Sequence, residues 1–199
     1  KRIAALGSAF RTVTVYRDYP YPDDVSYVCA QVAEVEIDTE TGAVKVRRVT
    51  SAHDVGTVIN PVTHQGQIEG ATLMGVGQAV MEELALDNGR VTTANLGDYR
   101  IPVIADTPAL ETVLVDSSGG VGPLDAKPIG EFANNAPPAA IANAVAAAVG
   151  ARIFDLPITA EKVYRAFKAA QQTNGTTRKD KISSRQARQV RQGPTTRPK

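Results

Sequence analysis

Apolar positions in the first third of the chain recur at every second residue. Residues 11–17 (RTVTVYR) and 25–37 (VSYVCAQVAEVEI) carry this alternation, the pattern of strands that bury one face. DTETG at 38–42 is a turn whose glycine can take positive φ, and β character resumes through AVKVRRVTSAHDV. Two such runs around a short turn predict a hairpin. The period then changes. Ile68, Ala71, Met74 (or Gly75) and Val80 to Leu84 recur at helical spacing. Asn60 is placed to cap that helix, and Pro61 suits its first turn. LDNGRV at 86–91 reads as a tight turn, NLGDYRIPVIADTP as a loop, LETVLVD at 110–116 as a strand and SSGGVGPL at 117–124 as a glycine-rich loop. A second helix is predicted from near Pro137 to Gly150, with Asn134 or Asn135 as its cap. A third lies in LPITAEKVYRAFKAAQ, capped by Thr159.

The expected fold is therefore α+β: an antiparallel hairpin and further strands packed with about three helices. From about Thr173 the chain has two apolar aliphatics, no aromatics and high charge. Such a segment buries too little to fold. A domain over 1–172 and a disordered basic tail over 173–199 are expected.

Composition narrows the class. With 199 residues, 43% hydrophobic and 22% charged, the chain suits one soluble globular domain or two small ones. No run reaches the ~18 apolar residues of a membrane span. A single cysteine, Cys29, excludes an internal disulfide and a Cys-rich metal or iron–sulfur site in this segment. The chain opens at Lys1 rather than Met, and a fragment of a longer polypeptide is expected. The net charge of +1 hides an asymmetry: from Lys168 onward nine Lys/Arg stand against one Asp, so the body before it is acidic. The tail lacks interleaved aromatics and reads as solvated rather than as a nucleic-acid binder.

Several residues carry candidate chemistry. Glu131 sits between Gly130 and Phe132, just ahead of the second predicted helix. A helix start favours a charged carboxylate, while apolar burial opposes it; the sum can yield a usable general base. From position alone, a plain N-terminal charge on a surface helix is the simpler reading. The stretch GQIEGATLMGVGQ places Gly66, Gly70, Gly75 and Gly77 in one helix. Each costs roughly 0.8–1 kcal/mol against alanine in an exposed helix interior. Close approach of a backbone or a ligand is the usual compensation, with Gln67 offering an amide; a helix crossing through small residues explains the spacing equally well. SSGGVGPL offers backbone N–H groups to an anion or is a mobile connector. His53, Asp54 and His64 make a weak metal case, and Cys29 reads as a small core residue.

In order and spacing, HDVGTVINPVTHQGQIEGATLMGVGQAVMEEL, NLGDYRIPVIADTP and GGVGPLDAKPIGEFANNAPPAAIANAVAAAVGARIFDLPIT closely resemble the C-terminal part of the molybdopterin-binding subunit of the xanthine dehydrogenase/aldehyde oxidase family, over roughly residues 8–168. The resemblance implies an enzyme that hydroxylates an aldehyde or N-heterocycle with oxygen from water, and that this fragment alone is inactive. The glutamate of the K-x-x-G-E motif, Glu131 here, would act as general base on a molybdenum-bound hydroxide. The glutamine of G-Q-x-E-G, Gln67 here, would lie against the cofactor, with Gly66 and Gly70 allowing close approach and Gly130 permitting a sharp turn. The implied cofactor is molybdenum–molybdopterin, in the cytosine dinucleotide form. Iron–sulfur clusters and FAD would reside on other domains or subunits of a cytoplasmic oligomer. No membrane span or nucleic-acid partner is expected. Asp125 stands where the family often has glycine, and its charge is a candidate to tune Glu131. The alternative is a non-catalytic structural remnant whose basic tail docks an acidic partner.

Overall fold

The structure, a computed structural model, describes residues 15–16, 25–121 and 124–172. The tail expected from 173 and most of the strand expected at 11–17 lie outside them.

The hairpin forms as β1 (Cys29–Ile37) and β2 (Val44–Gly56). Their antiparallel register runs from Cys29 opposite His53 to Ile37 opposite Val44. Along β1 every second side chain turns inward. In β2 the alternation slips: Arg47 and Arg48 are both exposed, between buried Val46 and Val49. The register shifts at the same place, since Glu34 faces Arg48 while Val35 faces Val46. This extra residue is a β-bulge, and it lets both valines reach the core.

Helix α1 (Pro61–Val80) follows, capped by the Asn60 side chain, which accepts from the Val62 and Thr63 amides at 3.1 and 3.2 Å. A two-residue hairpin pairs β3 (Leu86–Asp87) with β4 (Arg90–Val91). Asn88 and Gly89 both take positive φ there, as an Asn-Gly turn prefers. Strand β5 (Ala109–Asp116) then joins the hairpin, giving the order β1-β2-β5. It runs parallel to β2. A parallel neighbour needs a long crossover, and α1 with the loop after it supplies one. The α+β expectation therefore holds, with this strand added in parallel.

Helix α2 (Pro137–Val149) ends as expected on Gly150, in the left-handed region at φ 74°. Its start differs from expectation. Neither Asn134 nor Asn135 caps it; the N-cap is Ala136, without a side-chain bond. Prolines at the first two helical positions have no N–H, so half of the amides that a cap would serve are absent. Helix α3 (160–172) is capped by Thr159, whose hydroxyl accepts from the Lys162 amide at 3.3 Å. Among the described residues no helix is long and apolar enough to cross a membrane.

The core has two parts. Val46, Val49, Val76, Ala79, Ile141, Val145, Val149, Ile158 and Val163 fill the space between sheet and helices. A smaller cluster, Val55, Ile68, Ala71 and Ala133, lies under the Glu131 segment. At the α1–α2 crossing Gly75 is buried, and a Cβ there would sit 2.6 Å from Pro137 Cγ and 2.7 Å from the Asn134 carbonyl oxygen. At Gly66 a Cβ would meet nothing within 4 Å.

These two sites should respond oppositely to the same change. Gly75→Ala should destabilise by about 1–3 kcal/mol through overpacking, despite the better helix former. Gly66→Ala should stabilise by up to ~1 kcal/mol. Urea unfolding midpoints check both; equal shifts of the same sign would contradict the packing described.

Candidate functional site

One face of α1 is buried by Ile68, Ala71, Thr72, Gly75, Val76 and Ala79. The other face stays bare: Gly66, Gln67, Gly70, Met74 and Gln78 are exposed. The four glycines therefore divide. Gly75 and Gly77 are close-packed, the first on Pro137 and Asn134, the second on Pro102 and Glu82. At Gly66 and Gly70 nothing lies within 4 Å of a built Cβ. Among the described residues nothing beyond the helix itself approaches them, and their backbone is presented to open space.

The structure brings two of the candidate motifs together. Gln67 Nε2 donates to the Gly130 carbonyl at 3.2 Å, across 63 positions of sequence. Glu131 follows directly. It is exposed, and its carboxylate has no hydrogen-bond or ion-pair partner among the described residues. It is not at the mouth of α2, as position in the sequence suggested. A 3-10 turn, Phe132–Asn134, intervenes, and Glu131 precedes that turn with φ −93° and ψ 1°. The α2 dipole acts only over its own first turn, so it does not reach Glu131. Nor do the described residues enclose the carboxylate in an apolar pocket, since Glu131 is exposed. Gly130 is not among the glycines with positive φ, and a Cβ on it would meet nothing. A sharp turn does not require glycine there; its part in this arrangement is its carbonyl.

Below this segment lies a set of buried polar residues whose association the sequence did not show, although His53, Asp54 and the motif lysine Lys127 stood out singly. Lys127 is buried at 8% exposure, and its Nζ lies 2.6 Å from Asp54 Oδ2. Asp54 also accepts from the Ser117 hydroxyl and from the Gly56 amide at 3.2 Å. The Lys127 ammonium first, then the Ser117 hydroxyl, hold the Asp54 carboxyl below its ordinary range. At the far end of the segment Gln31 Nε2 donates to the Ala133 carbonyl and to Ser51 Oγ, both at 2.9 Å. Ser51 and Thr72 hydroxyls share a bond of 3.2 Å. His53 is 2% exposed and meets the Phe132 ring edge-on at 6.1 Å. Its burial lowers the imidazole pKa and favours the neutral ring. Gln31, Ser51 and His53 occupy inward positions of their strands, and Thr72 the buried stripe of α1. Polar residues in apolar slots were the available signal. Lys127 is the lysine of K-x-x-G-E, but nothing local marked its pairing, because its partner is 73 positions away.

The glycine-rich loop has its own anion. The Asp125 carboxylate accepts from the Gly120 amide at 2.6 Å and the Gly119 amide at 3.3 Å. Asp125 takes φ +57°, a conformation that asparagine, aspartate and glycine tolerate best. Its charge is thus engaged by the loop. His53 and His64 do not come together with other ligands; among the described residues no group of three or more His, Cys, Asp or Glu could hold a metal ion. Along the bare face of α1 runs a cleft of about 480 Å³, from Gly70, Met74 and Gln78 to Glu82, Tyr99 and Pro102, with Asn134 on its other wall.

Comparison with known proteins gives this geometry a family. A model of the molybdopterin cofactor-binding domain matches residues 7–108. The chain is 41% identical over 133 residues to the aldehyde oxidoreductase molybdenum-binding subunit PaoC of Escherichia coli (strain K12), covering 65% of this chain and 18% of that protein. It is 38% identical over 138 residues to the nicotine 6-hydroxylase large subunit of Paenarthrobacter nicotinovorans, covering 67% and 17%. Among solved structures it is similar to quinoline 2-oxidoreductase from Pseudomonas putida 86, with a TM-score of 0.63, 35% identity, and coverage of 67% of this chain and 18% of that one. Aldehyde oxidoreductase from Desulfovibrio gigas gives a TM-score of 0.62 at 36% identity, over 68% and 15%. The chain belongs to the molybdopterin-binding subunits of the xanthine dehydrogenase/aldehyde oxidase family. It spans about 18% of the length of the first of these curated relatives.

The buried groups make stability depend on pH in two windows. The unfolded imidazole takes a proton near pH 6.5, whereas folded His53 stays neutral to lower pH. Stability from this source is complete above about pH 6.5 and falls as pH drops below it. Asp54 has a depressed carboxyl, so its contribution is present above about pH 4 and is lost as pH falls further, through its folded pKa. His53→Leu should therefore remove most of the fall in unfolding midpoint between pH 7 and 5 and leave the fall below pH 4. A variant as acid-sensitive as the parent between pH 7 and 5 would contradict the assignment.

Proposed function

We propose that this chain forms part of the active site of a molybdenum hydroxylase that oxidises an aldehyde or N-heterocycle with oxygen derived from water, and that Glu131 is its general base. The observation that carries this reading is the hydrogen bond from Gln67 to the Gly130 carbonyl. It sets a carboxylate without a partner beside a helix face that glycines leave bare. The residues fit a molybdopterin in kind. Open backbone at Gly66 and Gly70 is a cradle that a side chain would fill, and Gln67 adds a neutral amide beside it. When bound, the cofactor supplies a metal centre that activates water and takes up electrons from the substrate.

The chain's own residues do the rest. Gly66 and Gly70 admit the cofactor to the backbone of α1. Gln67 orients it while bonded to the turn that carries the base. The Glu131 carboxylate accepts the proton released as the water-derived oxygen attacks the substrate carbon. The proposed cofactor is the cytosine dinucleotide form of molybdopterin, with iron–sulfur clusters and FAD on other domains or subunits of a cytoplasmic oligomer. The names of two relatives support the substrate classes: one is an aldehyde oxidoreductase subunit, the other a nicotine hydroxylase subunit.

Glu131→Gln in the complete cofactor-loaded enzyme should cut turnover by about 10²–10⁴-fold, with molybdenum content unchanged. Near-normal turnover would sink the catalytic claim. Gly70→Leu should instead lower molybdenum per protein, because its side chain occupies the cradle; full molybdenum occupancy would remove the cofactor from this face.

A further inference from the structure

We infer that the buried Lys127–Asp54 pair is a positioning device: it fixes the start of the segment that carries Glu131 onto the end of strand β2. This rests on the reading of Glu131 as the base. Lys127 is the first residue of KPIGE, with its side chain only 6% exposed and its Nζ 2.6 Å from Asp54. Asp54 is itself held on two sides. It lies in β2 opposite Val115 of β5, and its carboxylate takes the Ser117 hydroxyl just beyond that strand. The backbone follows the ion pair: the Lys127 amide donates to the Val55 carbonyl at 2.9 Å, and Thr57 donates to the Asp125 carbonyl at 2.9 Å. A Cβ on Gly56 would collide with the Asp125 carbonyl oxygen and come within 3.0 Å of the Lys127 nitrogen. The two stretches lie backbone on backbone at this point.

The other end of the segment is tied by Gln31 to the Ala133 carbonyl. Only residues 128–132 span between the two ties, with Gln67 on Gly130 between them and Pro128 restricting the first step. Glu131 is thus located by anchors rather than by any contact of its own carboxylate. An ammonium deprived of its buried partner is strongly disfavoured inside the protein, and so is the converse. Loss of either member should release the start of the segment toward water before it unfolds the sheet. A base displaced by about 1 Å can cost on the order of 10²-fold in rate.

The test uses the full-length protein with Lys127→Met, Asp54→Asn, the double variant and the conservative Lys127→Arg. Without the cofactor, amide hydrogen exchange should accelerate at the hydrogen-bonded amides of Thr57, Lys127 and Asn134, which bound this segment, in both single variants, while the β1–β2 hairpin and α1 keep their protection. In the loaded enzyme each single variant should lower kcat by roughly 10–100-fold, with KM and molybdenum content little changed. Lys127→Arg should recover most of kcat. The double variant should be no worse than either single one, because the two residues act as a unit. Unchanged exchange at the Thr57, Lys127 and Asn134 amides would overturn the inference, as would acceleration spread evenly over the fold. If Lys127→Met does not fold, Asp54→Asn, which keeps the shape of the side chain, gives the same readouts. Glu131→Gln separates the two ideas. Normal turnover in that variant alongside local loosening in Lys127→Met would remove the base and keep the anchor. Lost turnover there with no loosening would do the reverse.

Discussion

The close approach of α1 and α2 sets the level of everything above it. At Gly75 no side chain from α1 separates the two, and the helix backbone faces Pro137 and the Asn134 carbonyl directly. The 3-10 turn before α2 therefore lies low against α1, with Ala133 packed in the cluster of Val55, Ile68 and Ala71. Only from that height can the Gly130 carbonyl reach Gln67, about two turns earlier on α1. A larger residue at position 75 would lift the turn and part the two motifs.

Polar and apolar packing divide along the molecule. One end is an aliphatic core of valines and isoleucines from the sheet, α1, α2 and the chain leading into α3. The other, beneath the Glu131 segment, buries Ser51, His53, Thr72 and Lys127. Buried polar groups cost stability unless they are bonded, and most of these are. Gln31, Ser51 and Thr72 form one bonded chain, and Lys127, Asp54 and Ser117 another. Hydrogen bonds fix direction more narrowly than aliphatic contact does. They are concentrated beneath the segment that carries Glu131.

Much of this was legible locally. The hairpin, the Asn60 cap, the Asn-Gly turn and the Gly150 terminus each follow from a few adjacent residues. Non-local features were not. The parallel pairing of β5 depends on a crossover, and the bulge at Arg47 on which valines the core needs. The Ala136 cap reflects two prolines that leave little for a cap to do. At the site, Glu131 and Gln67 could be picked out from their motifs, but their adjacency could not. The helix-start setting expected for Glu131 is absent, because the turn Phe132–Asn134 separates it from α2. Asp125, read as a charge near the base, is spent on the amides of Gly119 and Gly120. Lys127 and Asp54 are ordinary surface residue types by composition, and only the fold buries them together.

The central claim is that the bare glycine face of α1 and the unpartnered Glu131 are two sides of one cofactor site. A crystal structure of the full-length protein with its molybdopterin bound tests this most directly. The account predicts the cofactor over Gly66 and Gly70, within hydrogen-bond distance of the Gln67 carboxamide, and the Glu131 carboxylate facing its metal. A cofactor bound elsewhere, with that face of α1 covered by polypeptide, would contradict it.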